Sequence, residues 1–342
     1  MNKKPLNPTI DDVARLAGVS ISTVSRVINR NVPVSDDVLA RVETAMQELK
    51  YIPRAAARNL ASRKTNTLGL LASEVLGDFF IPLLSGIEAA VREAGYDLLI
   101  STAARRGPHD HLPASLGTHN TDGLLVFAGS LTSTGIEHTH ALGLPMVLIH
   151  QSTPAHLPVP CVTIENKAAA CQIVEHLIRV HGRRRIVLLR GLPKHEDAYW
   201  REVGYREALA ENGLPFDPAL VLPGDFNREV ARGSVVRLLE SGAAFDAIFS
   251  GDDEAAVGVL QALQAAGRRV PEEVSVVGFD DQNLAAVINP PLTTVHTPTA
   301  EVGRAAAQQL LRLIRTEKAD PLTLLPTEMI IRRSCGCNNG TR

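Results

Sequence analysis

The chain has few aromatic residues, few cysteines and no long apolar run. Only 4% of its 342 residues are aromatic although 45% are apolar, so its cores must be built mainly from Leu, Val, Ile and Ala. Four cysteines do not make a disulfide scaffold at this length. No run of 18 apolar residues indicates a membrane span, and no apolar segment after Lys4 indicates a signal peptide. We therefore expect a cytoplasmic protein of two or three domains that does not contact a membrane.

Catalytic motifs are absent too. There is no Gly-x-Ser-x-Gly elbow, Gly-x-Gly-x-x-Gly loop or P-loop, so we expect neither an enzyme nor a cofactor. Five histidines suggest a metal, but they lie on different elements without ligand spacing, so we expect them to be solvated. They are His109, His111, His138, His140 and His150. Cys335-Gly-Cys337 is compatible with redox or metal chemistry, but without a second pair an inert role is favoured. No metal site is predicted.

The net charge of −2 argues by itself against a nucleic-acid-binding protein. Its distribution reverses that interpretation. Residues 1–65 hold 11 Lys and Arg against 6 Asp and Glu, a charge of +5, whereas the remainder holds 24 against 31, a charge of −7. A basic N-terminal part on an acidic body is the asymmetry expected when only the N-terminal part meets DNA.

Residues 9–29 have the pattern of two short helices joined by a tight turn. Thr9 is a suitable N-cap with a carboxylate three residues later at Asp12, Gly18 ends the first helix, and Ser20 can cap the second. The second helix is expected to bury Val24 and Ile28. Its outward side chains are then Ile21, Ser22, Ser25 and Arg26. This is a helix-turn-helix whose second helix carries groups that suit phosphates and base edges.

A third helix and a basic segment complete the N-terminal part. Ser35 is expected to cap the third helix, and the short helix that follows, after Pro53, is too short to be stable alone in water. We expect it to be ordered on DNA and frayed off it. Leu60 is a large apolar residue on this basic segment. It suits a wedge into the minor groove, or alternatively packing against the head or a partner chain.

From Thr67 onward, apolar strands alternate with helices. The predicted strands are 68–72, 96–101, 122–127, 145–149, 162–164, 185–189, 246–250 and 274–279. The predicted helices are 80–95, 166–181, 200–212 and 253–266, with another around 109–117. This alternation indicates parallel sheets covered on both faces, with too many units for one sheet. We predict two similar α/β lobes with a ligand cleft outside the carboxyl ends of the strands.

Together these segments resemble the LacI/GalR family of bacterial transcription regulators, across essentially the whole chain. The head and hinge motifs are Thr9-Ile-x-Asp-Val-Ala, Ala17-Gly-Val-Ser, Thr23-Val-Ser-Arg-Val-Ile-Asn, Tyr51-x-Pro and Ala57-Arg-x-Leu60. The body motifs are Leu68-Gly-Leu-Leu, Arg201-x-x-Gly-Tyr205, Phe249-Ser-Gly-Asp252, Val270-Pro-Glu-Glu-Val-Ser-Val-Val-Gly-Phe-Asp280 and Pro291-Leu-Thr-Thr-Val295. So many motifs in order are a specific signal, whereas a helix-turn-helix alone is not.

The resemblance implies an all-α helix-turn-helix head with a hinge helix, joined to a two-lobed α/β body like periplasmic binding proteins. We predict a head over 1–52, a hinge and linker over 53–66, a body for effector binding and dimerisation over 67–342, and a disordered tail over 338–342. The first lobe would comprise about 67–162 and 293–321. The second would comprise about 163–292 and 322–337.

The resemblance also implies a homodimer, sometimes a dimer of dimers, on a near-palindromic double-stranded operator. Bases would be read by Ile21, Ser22 and Arg26, of which Arg26 suits a bidentate contact to guanine, although a solvated side chain is the alternative. Phosphates would be held by Thr9, Ser20, Thr23, Ser25 and Asn29. Leu60 would wedge the central base step, with Arg58 close by. Because base-reading positions vary within the family, the operator sequence does not transfer.

An effector cleft is implied as well. The first lobe would contribute Phe79, Phe80, His150 and Gln151, and the second His195, Asp197, Arg201, Phe226, Asp252 and Asp280. Arg201 and Asp280 suit vicinal hydroxyls or a carboxylate, and Phe80 would stack on a sugar or base. Without a ligand role, Arg201 would form a surface ion pair and Asp280 a helix cap. The family often has an acidic residue where this chain has His150, so the ligand itself is not specified.

The leading hypothesis is a transcriptional repressor of carbohydrate catabolic or transport genes. It would be controlled by a small-molecule effector, expected to be a sugar or sugar derivative. In this hypothesis, hinge helices fold when two of them meet on the minor groove, which couples effector to DNA. One alternative is a solute-binding protein without a regulatory role, which would need an export signal. Another is a regulator of purine or other non-sugar metabolism.

Overall fold

The computed structural model describes residues 8–29, 33–51, 64–73, 75, 77–102 and 109–338, with only the backbone of Asn29. The chain divides into two compact units, Met1–Thr65 and Asn66–Arg342. The predicted hinge residues Arg58 and Leu60 lie outside the described residues, as does the predicted tail beyond Asn338. Within the described part, no helix has the length and apolar character needed to cross a bilayer.

The first unit contains the predicted helix-turn-helix. Its helices are α1 (Ile10–Ala17), α2 (Ile21–Asn29) and α3 (Asp36–Leu49). Thr9 and Asp12 form the predicted capping box at the start of α1. Gly18 ends that helix in the left-handed conformation, at φ 64°, which glycine adopts without a steric penalty. The Thr23 backbone N–H donates to Ser20 Oγ over 3.2 Å, so Ser20 caps α2 as predicted.

The core of the head is aliphatic. Val13, Val24 and Val42, one from each helix, are fully buried. Val27 is buried whereas Ile28 is only half-buried, so the buried face of α2 is centred on Val24 and Val27 rather than on Val24 and Ile28. Ser35 occupies the N-cap position of α3, but its side chain makes no capping hydrogen bond.

The second unit is built on two parallel sheets. Its strands are β1 (Thr67–Ala72), β2 (Asp97–Thr102), β3 (Gly123–Phe127), β4 (Met146–Ile149), β5 (Cys161–Ile164), β6 (Ile186–Arg190), β7 (Val221–Pro223), β8 (Ala247–Ser250), β9 (Ser275–Val277), β10 (Thr294–His296), β11 (Leu322–Leu325) and β12 (Glu328–Ile330). The first sheet has the order β11-β5-β4-β3-β1-β2, and the second β7-β6-β8-β9. β10 and β12 form a separate antiparallel pair. Two parallel sheets in one body agree with the predicted two-lobed α/β architecture.

Helices cover these sheets, and six of the helices pack in three close pairs. The helices are α4 (Phe80–Glu93), α5 (Ser133–Ala141), α6 (Asn166–Arg179), α7 (Glu196–Glu211), α8 (Arg228–Glu240), α9 (Asp253–Ala265), α10 (Asn283–Val287) and α11 (Thr299–Ile314). α4 packs on α11, α6 on α7, and α8 on α9. A glycine lies at each crossing because the backbones approach too closely for a side chain. A Cβ at Gly204 of α7, for example, would lie 2.2 Å from the Lys167 carbonyl oxygen of α6.

Substitution of Gly204 by alanine is therefore expected to lower the free energy of unfolding by about 1–3 kcal/mol, because the added methyl group forces α6 and α7 apart. Urea denaturation measures this change. Gly233 of α8 is the matched control, since a Cβ there meets only the flexible end of Arg237, at 3.4 Å. Its replacement by alanine should stabilise the protein by roughly 0.5–1 kcal/mol through helix propensity. Equal effects at the two glycines would contradict the close-crossing argument.

Two predictions about the body are wrong. Residues 109–117 form no α-helix, because Pro113 interrupts the segment and leaves only a 3-10 turn at Ala114–Leu116. The backbone of His109 pairs instead with Leu131 in an isolated bridge. The lobe limits also shift, since β5 and β11 pair with each other in the first sheet. Residues 163–164 and 322–325 therefore belong to the first lobe, not the second.

Candidate functional site

The predicted base-reading face of α2 is accessible. Ile21 is 48% exposed, and Ser22 and Arg26 are exposed beside it. At the start of the helix, Ser20 Oγ lies 2.8 Å from Ser22 Oγ and 2.9 Å from Thr23 Oγ1. These hydroxyls lie at a helix N-terminus, where the helix dipole favours an anion such as a phosphate.

The remaining predicted DNA contacts are less uniform. Thr9 Oγ1 donates to Asp12 Oδ2 over 2.7 Å, and this bond together with the Thr9 backbone N–H lowers the pKa of Asp12. A phosphate at Thr9 would have to replace that carboxylate as the acceptor. Ser25 is half-buried on α2. The Asn29 side chain, Arg58 and Leu60 lie outside the described residues.

Arg201 is the centre of the predicted effector site. It lies on α7, is 4% exposed, and directs each guanidinium nitrogen at a different partner. Nε donates to Asn166 Oδ1 over 2.9 Å, one Nη donates to the Gly251 carbonyl, and the other donates to Asp280 Oδ1 over 3.2 Å. The guanidinium also lies over the Phe279 ring, 3.7 Å from its centroid. Arg201 is therefore a buried, fully oriented cation at the strand ends, and the alternative of a surface ion pair is excluded.

Asn166 extends this network toward the first lobe. Its Nδ2 donates to Asp197 Oδ1 over 2.8 Å, and Asp197 Oδ2 lies 3.2 Å from His150 Nδ1. Burial by itself would raise the pKa of Asp197, but the charge and hydrogen bond of His150, followed by Arg201 and Asn166, outweigh it and lower that pKa. The series Asp280, Arg201, Asn166, Asp197 and His150 therefore joins the ends of both sheets. Asn166, at the start of α6, was not predicted.

Aromatic rings flank the network on both sides. Ring centroids of Phe79 and Phe127 lie 6.0 and 5.7 Å from that of His150. Phe80, predicted to stack on the ligand, is 7% exposed and packs on Phe127 at 5.1 Å, so it supports this wall from behind. Phe127 was not predicted as a site residue, because an apolar residue at the end of β3 is indistinguishable in sequence from an ordinary buried strand residue.

The second wall consists of His195 and Phe226, whose ring centroids are 6.3 Å apart. Burial lowers the pKa of His195. The Phe226 ring occupies the space that a side chain at Gly191 would need, since a Cβ there would lie 2.0 Å from Phe226 Cζ. The His195 ring in turn lies against Gly129 of the first lobe. A Cβ added at Gly129 would lie only 2.6 Å from His195 Nε2. The predicted Gln151 accepts from the Gly129 backbone N–H over 3.4 Å.

Three carboxyl groups accumulate at the ends of the second sheet. Burial, followed by repulsion from Asp280, raises the pKa of Asp252 to about 7. Burial also raises the pKa of Asp280, despite the opposing charge of Arg201, and raises that of Asp253 well above its usual value. Asp252 caps α9 by accepting from the Ala255 backbone N–H over 2.9 Å. Perturbed carboxyls grouped around a buried Arg are typical of a ligand site, although structural networks show them too.

Some buried polar atoms around this network have no hydrogen-bond partner among the described residues. They include His150 Nε2, Ser130 Oγ and Ser250 Oγ. His150 and Ser130 follow strands of the first sheet, and Ser250 ends β8 of the second. An unsatisfied buried polar atom is destabilising by about 1–3 kcal/mol, so each of these is a candidate for a hydrogen bond to a ligand.

Cavities of about 300 Å³ open elsewhere on the surface, one beside Arg41 in the head and one beside Glu165 and Pro326. Neither is lined by the predicted effector residues. At the predicted site, the protein's own groups meet across the two lobes, as where Ser152 Oγ donates to Glu196 Oε2 over 2.6 Å. A ligand entering this site has to displace such contacts.

The exposed α2 face and the two-sheet body define a helix-turn-helix protein with a ligand-binding-type body, and comparisons with known proteins agree. Residues 9–54 match the description "Bacterial regulatory proteins, lacI family", and residues 174–335 match "Periplasmic binding protein-like domain". The HTH-type transcriptional regulator CelR of Thermobifida fusca is 34% identical over 336 residues, which cover 96% of this chain and 98% of CelR. The chain belongs to the lacI family of bacterial regulatory proteins.

Solved structures extend this similarity to the fold. A transcriptional regulator CelR–cellobiose complex has a TM-score of 0.71 and 32% identity, over 96% of this chain and all of that one. The lac repressor dimer bound to operator and the anti-inducer ONPF has a TM-score of 0.80 and 25% identity, over 96% of this chain and 99% of that one. In both cases the alignment spans the head and the body together.

Proposed function

We propose that this protein is a transcriptional repressor of carbohydrate catabolic or transport genes, whose affinity for DNA is set by a small molecule between the two lobes. The observation that carries the proposal is the buried Arg201 network at the strand ends, in a chain of the lacI family that also exposes the α2 face. The protein acts by binding, without catalytic turnover, in the cytoplasm where bacterial DNA lies.

The proposed DNA contacts are those of α2. Arg26 reads guanine, Ile21 and Ser22 meet neighbouring base edges, and Ser20 with Thr23 holds a phosphate at the helix start. One copy of this face offers few base-reading groups. We therefore propose a homodimer on a near-palindromic operator, which the similarity to the operator-bound lac repressor dimer supports.

The proposed effector is a sugar. Arg201, Asp280 and Asp197 offer charged hydrogen-bonding groups that suit vicinal hydroxyls, and Phe79 offers an aromatic ring that suits the apolar face of a sugar. The similarity to a regulator solved with cellobiose supports this class. Sugar hydroxyls would also take up buried atoms such as His150 Nε2, which has no partner among the described residues.

Control of DNA binding would follow from competition at the lobe boundary. The Asp197–His150 pair joins the two lobes directly, over 3.2 Å. A ligand that takes over either side chain changes how the lobes are held together and thereby shifts the equilibrium between DNA-binding and non-binding forms.

The proposal is tested by selecting binding sites from a randomised palindromic duplex library and measuring affinity by fluorescence anisotropy. We expect sequence-dependent binding that weakens steeply with salt. Thermal-shift screening of sugars, sugar phosphates, sugar acids and purines then identifies the ligand, which must change DNA affinity. Binding without sequence preference would refute the regulator, whereas a purine as sole ligand would refute only the sugar.

Substitution of Arg26 by alanine is expected to reduce discrimination at one guanine of the selected site by about 1–3 kcal/mol. Binding to nonspecific duplex should change much less, because phosphate contacts remain. The matched control is Arg41→Ala on α3, whose guanidinium pairs with Asp37 over 3.3 Å. If both variants lose affinity equally for all sequences, Arg26 contributes charge only and does not read a base.

A further inference from the structure

The C-terminal turn of the body brings together four side chains whose ligand atoms suit a metal ion. Cys335 and Cys337 lie on this turn, His176 lies in the last turn of α6, and His181 follows that helix. Their ligand atoms all lie within 4.8 Å of one another. The cysteine pair is visible in the sequence, whereas the two histidines stand more than 150 residues earlier in the chain.

The distances among His176, His181 and Cys337 match those between the ligands of a tetrahedral zinc ion. With Zn–N of about 2.0–2.1 Å and Zn–S of about 2.3 Å, tetrahedral geometry separates two nitrogens by about 3.3 Å and a sulfur from a nitrogen by about 3.6 Å. His176 Nε2 lies 3.2 Å from His181 Nε2. Cys337 Sγ lies 3.6 Å from the first nitrogen and 3.4 Å from the second.

The surrounding structure holds these ligands in place. Cys335 is fully buried, its sulfur accepts from Thr293 Oγ1 over 3.1 Å, and its carbonyl accepts from Ser275 Oγ over 2.7 Å. Gly336, between the two cysteines, has φ 115°, and a Cβ there would lie 3.0 Å from His181 Nδ1. A glycine is therefore required for the turn to bring both sulfurs against the imidazoles.

We propose that His176, His181, Cys335 and Cys337 bind one Zn²⁺ ion. Two thiolates and two imidazoles complete a tetrahedral shell, which is typical of a structural site with no position left for substrate. The His-x4-His spacing is common in such sites, whereas Cys-x-Cys is tighter than usual and depends on Gly336. This inference is independent of the proposed DNA-binding function.

The ion would fix the end of the chain to α6. That helix begins at Asn166 of the Arg201 network and ends beside the zinc ligands. Ser334, next to the cysteines, already bonds β9, because its Oγ donates to the Val276 carbonyl over 2.6 Å. Zinc would therefore hold one end of α6 while Asn166 at the other end meets the effector network.

The test uses the full chain, produced with zinc in reducing buffer and then dialysed. Elemental analysis should give about one zinc per chain. Replacement of zinc by Co²⁺ should give the thiolate charge-transfer absorption and intense visible bands of a tetrahedral S2N2 site. A zinc chelator should lower the thermal midpoint of the wild-type protein.

The informative variants are Cys337→Ser and His181→Gln, since both residues are only half-buried and their replacement should not prevent folding. Each should lose the zinc and the response of its thermal midpoint to chelator. Cys171→Ser on α6 is the control, because it removes a thiol outside the cluster and should keep both properties.

Three results would overturn the proposal. The first is wild-type protein with no zinc and no tetrahedral cobalt spectrum. The second is a disulfide between Cys335 and Cys337 that persists in reducing buffer. The third is equal loss of metal in Cys171→Ser, which would place the ion elsewhere.

Discussion

Replacement of Arg201 by alanine is expected to abolish the effector response and to lower the free energy of unfolding by about 3–5 kcal/mol. The Arg201 and Asp280 side chains are only 4% and 7% exposed. Removing the cation leaves Asp280 buried without its charged partner, and it also removes the donors to Asn166 and to the Gly251 carbonyl. The loss should shrink as pH falls, because the orphaned carboxyl can then be neutralised by a proton.

Urea denaturation measures the stability change, and titration of the operator complex with effector measures the response. Arg232→Ala on α8 is the matched control. It removes an exposed partner of Glu229, with 54% and 71% exposure, and such pairs contribute less than about 1 kcal/mol. DNA binding without effector should persist in both variants. If effector still releases DNA from Arg201→Ala protein, Arg201 does not belong to the effector site.

Arg201→Lys separates the two expected effects and remains informative if the alanine variant does not fold. Lysine keeps a positive charge near Asp280, so much of the stability should return. It lacks the planar fork that serves Asn166, Gly251 and Asp280 at once, so the effector response should stay impaired. Recovery of both properties would mean that charge alone matters at this position.

Local patterns explain why the caps and the turn of α1 and α2 were predicted from the sequence. Thr9, Gly18 and Ser20 act on backbone groups within a few positions, so their roles can be inferred from neighbouring residues alone. The helix wrongly predicted over 109–117 could also have been avoided from local sequence, because Pro113 lies within it and disfavours a helix. Four helices of the body, α5, α8, α10 and α11, were not predicted. The residues of β11 were assigned to the wrong lobe. The neighbouring strand β5 lies far away in sequence.

The candidate site was predictable only in part for the same reason. Arg201 and Asp280 were placed together by family resemblance, and the structure pairs them. Asn166 gave no signal of its own, because its importance lies in touching Arg201 and Asp197 at once. The four proposed zinc ligands were even harder to predict. Neither cysteine indicates that a histidine from a distant part of the chain lies beside it.

Replacement of Asp252 by asparagine should raise the free energy of unfolding at pH 8. The pKa of Asp252 is raised from 3.8 to about 7, first by burial and then by Asp280. The folded protein therefore holds a proton that the unfolded chain releases. The resulting stability is fully present below about pH 4 and is lost as pH rises through 7. A pKa difference of this size corresponds to about 4 kcal/mol, an upper estimate for the gain.

Asparagine removes the charge but keeps the cap, since its side-chain oxygen can still accept from the Ala255 backbone N–H. The stabilisation should therefore be large at pH 8 and close to zero at pH 4, as measured by urea denaturation at both values. Asp217→Asn is the control, because Asp217 also caps a short helical turn but is 39% exposed. An equal effect of Asp252→Asn at both pH values would contradict the role of its charge.

A buried carboxylate that destabilises the fold at neutral pH is expected where its charge serves binding. Asp252→Asn should therefore be more stable yet bind effector more weakly, and calorimetric titration at pH 8 measures that affinity. The raised pKa of Asp252 also predicts in which direction the affinity should change with pH. If the ionised form binds the ligand, wild-type affinity should fall as pH drops from 8 to 6, whereas the asparagine variant should lose this dependence. Unchanged affinity in the variant would leave Asp252 as a helix cap alone.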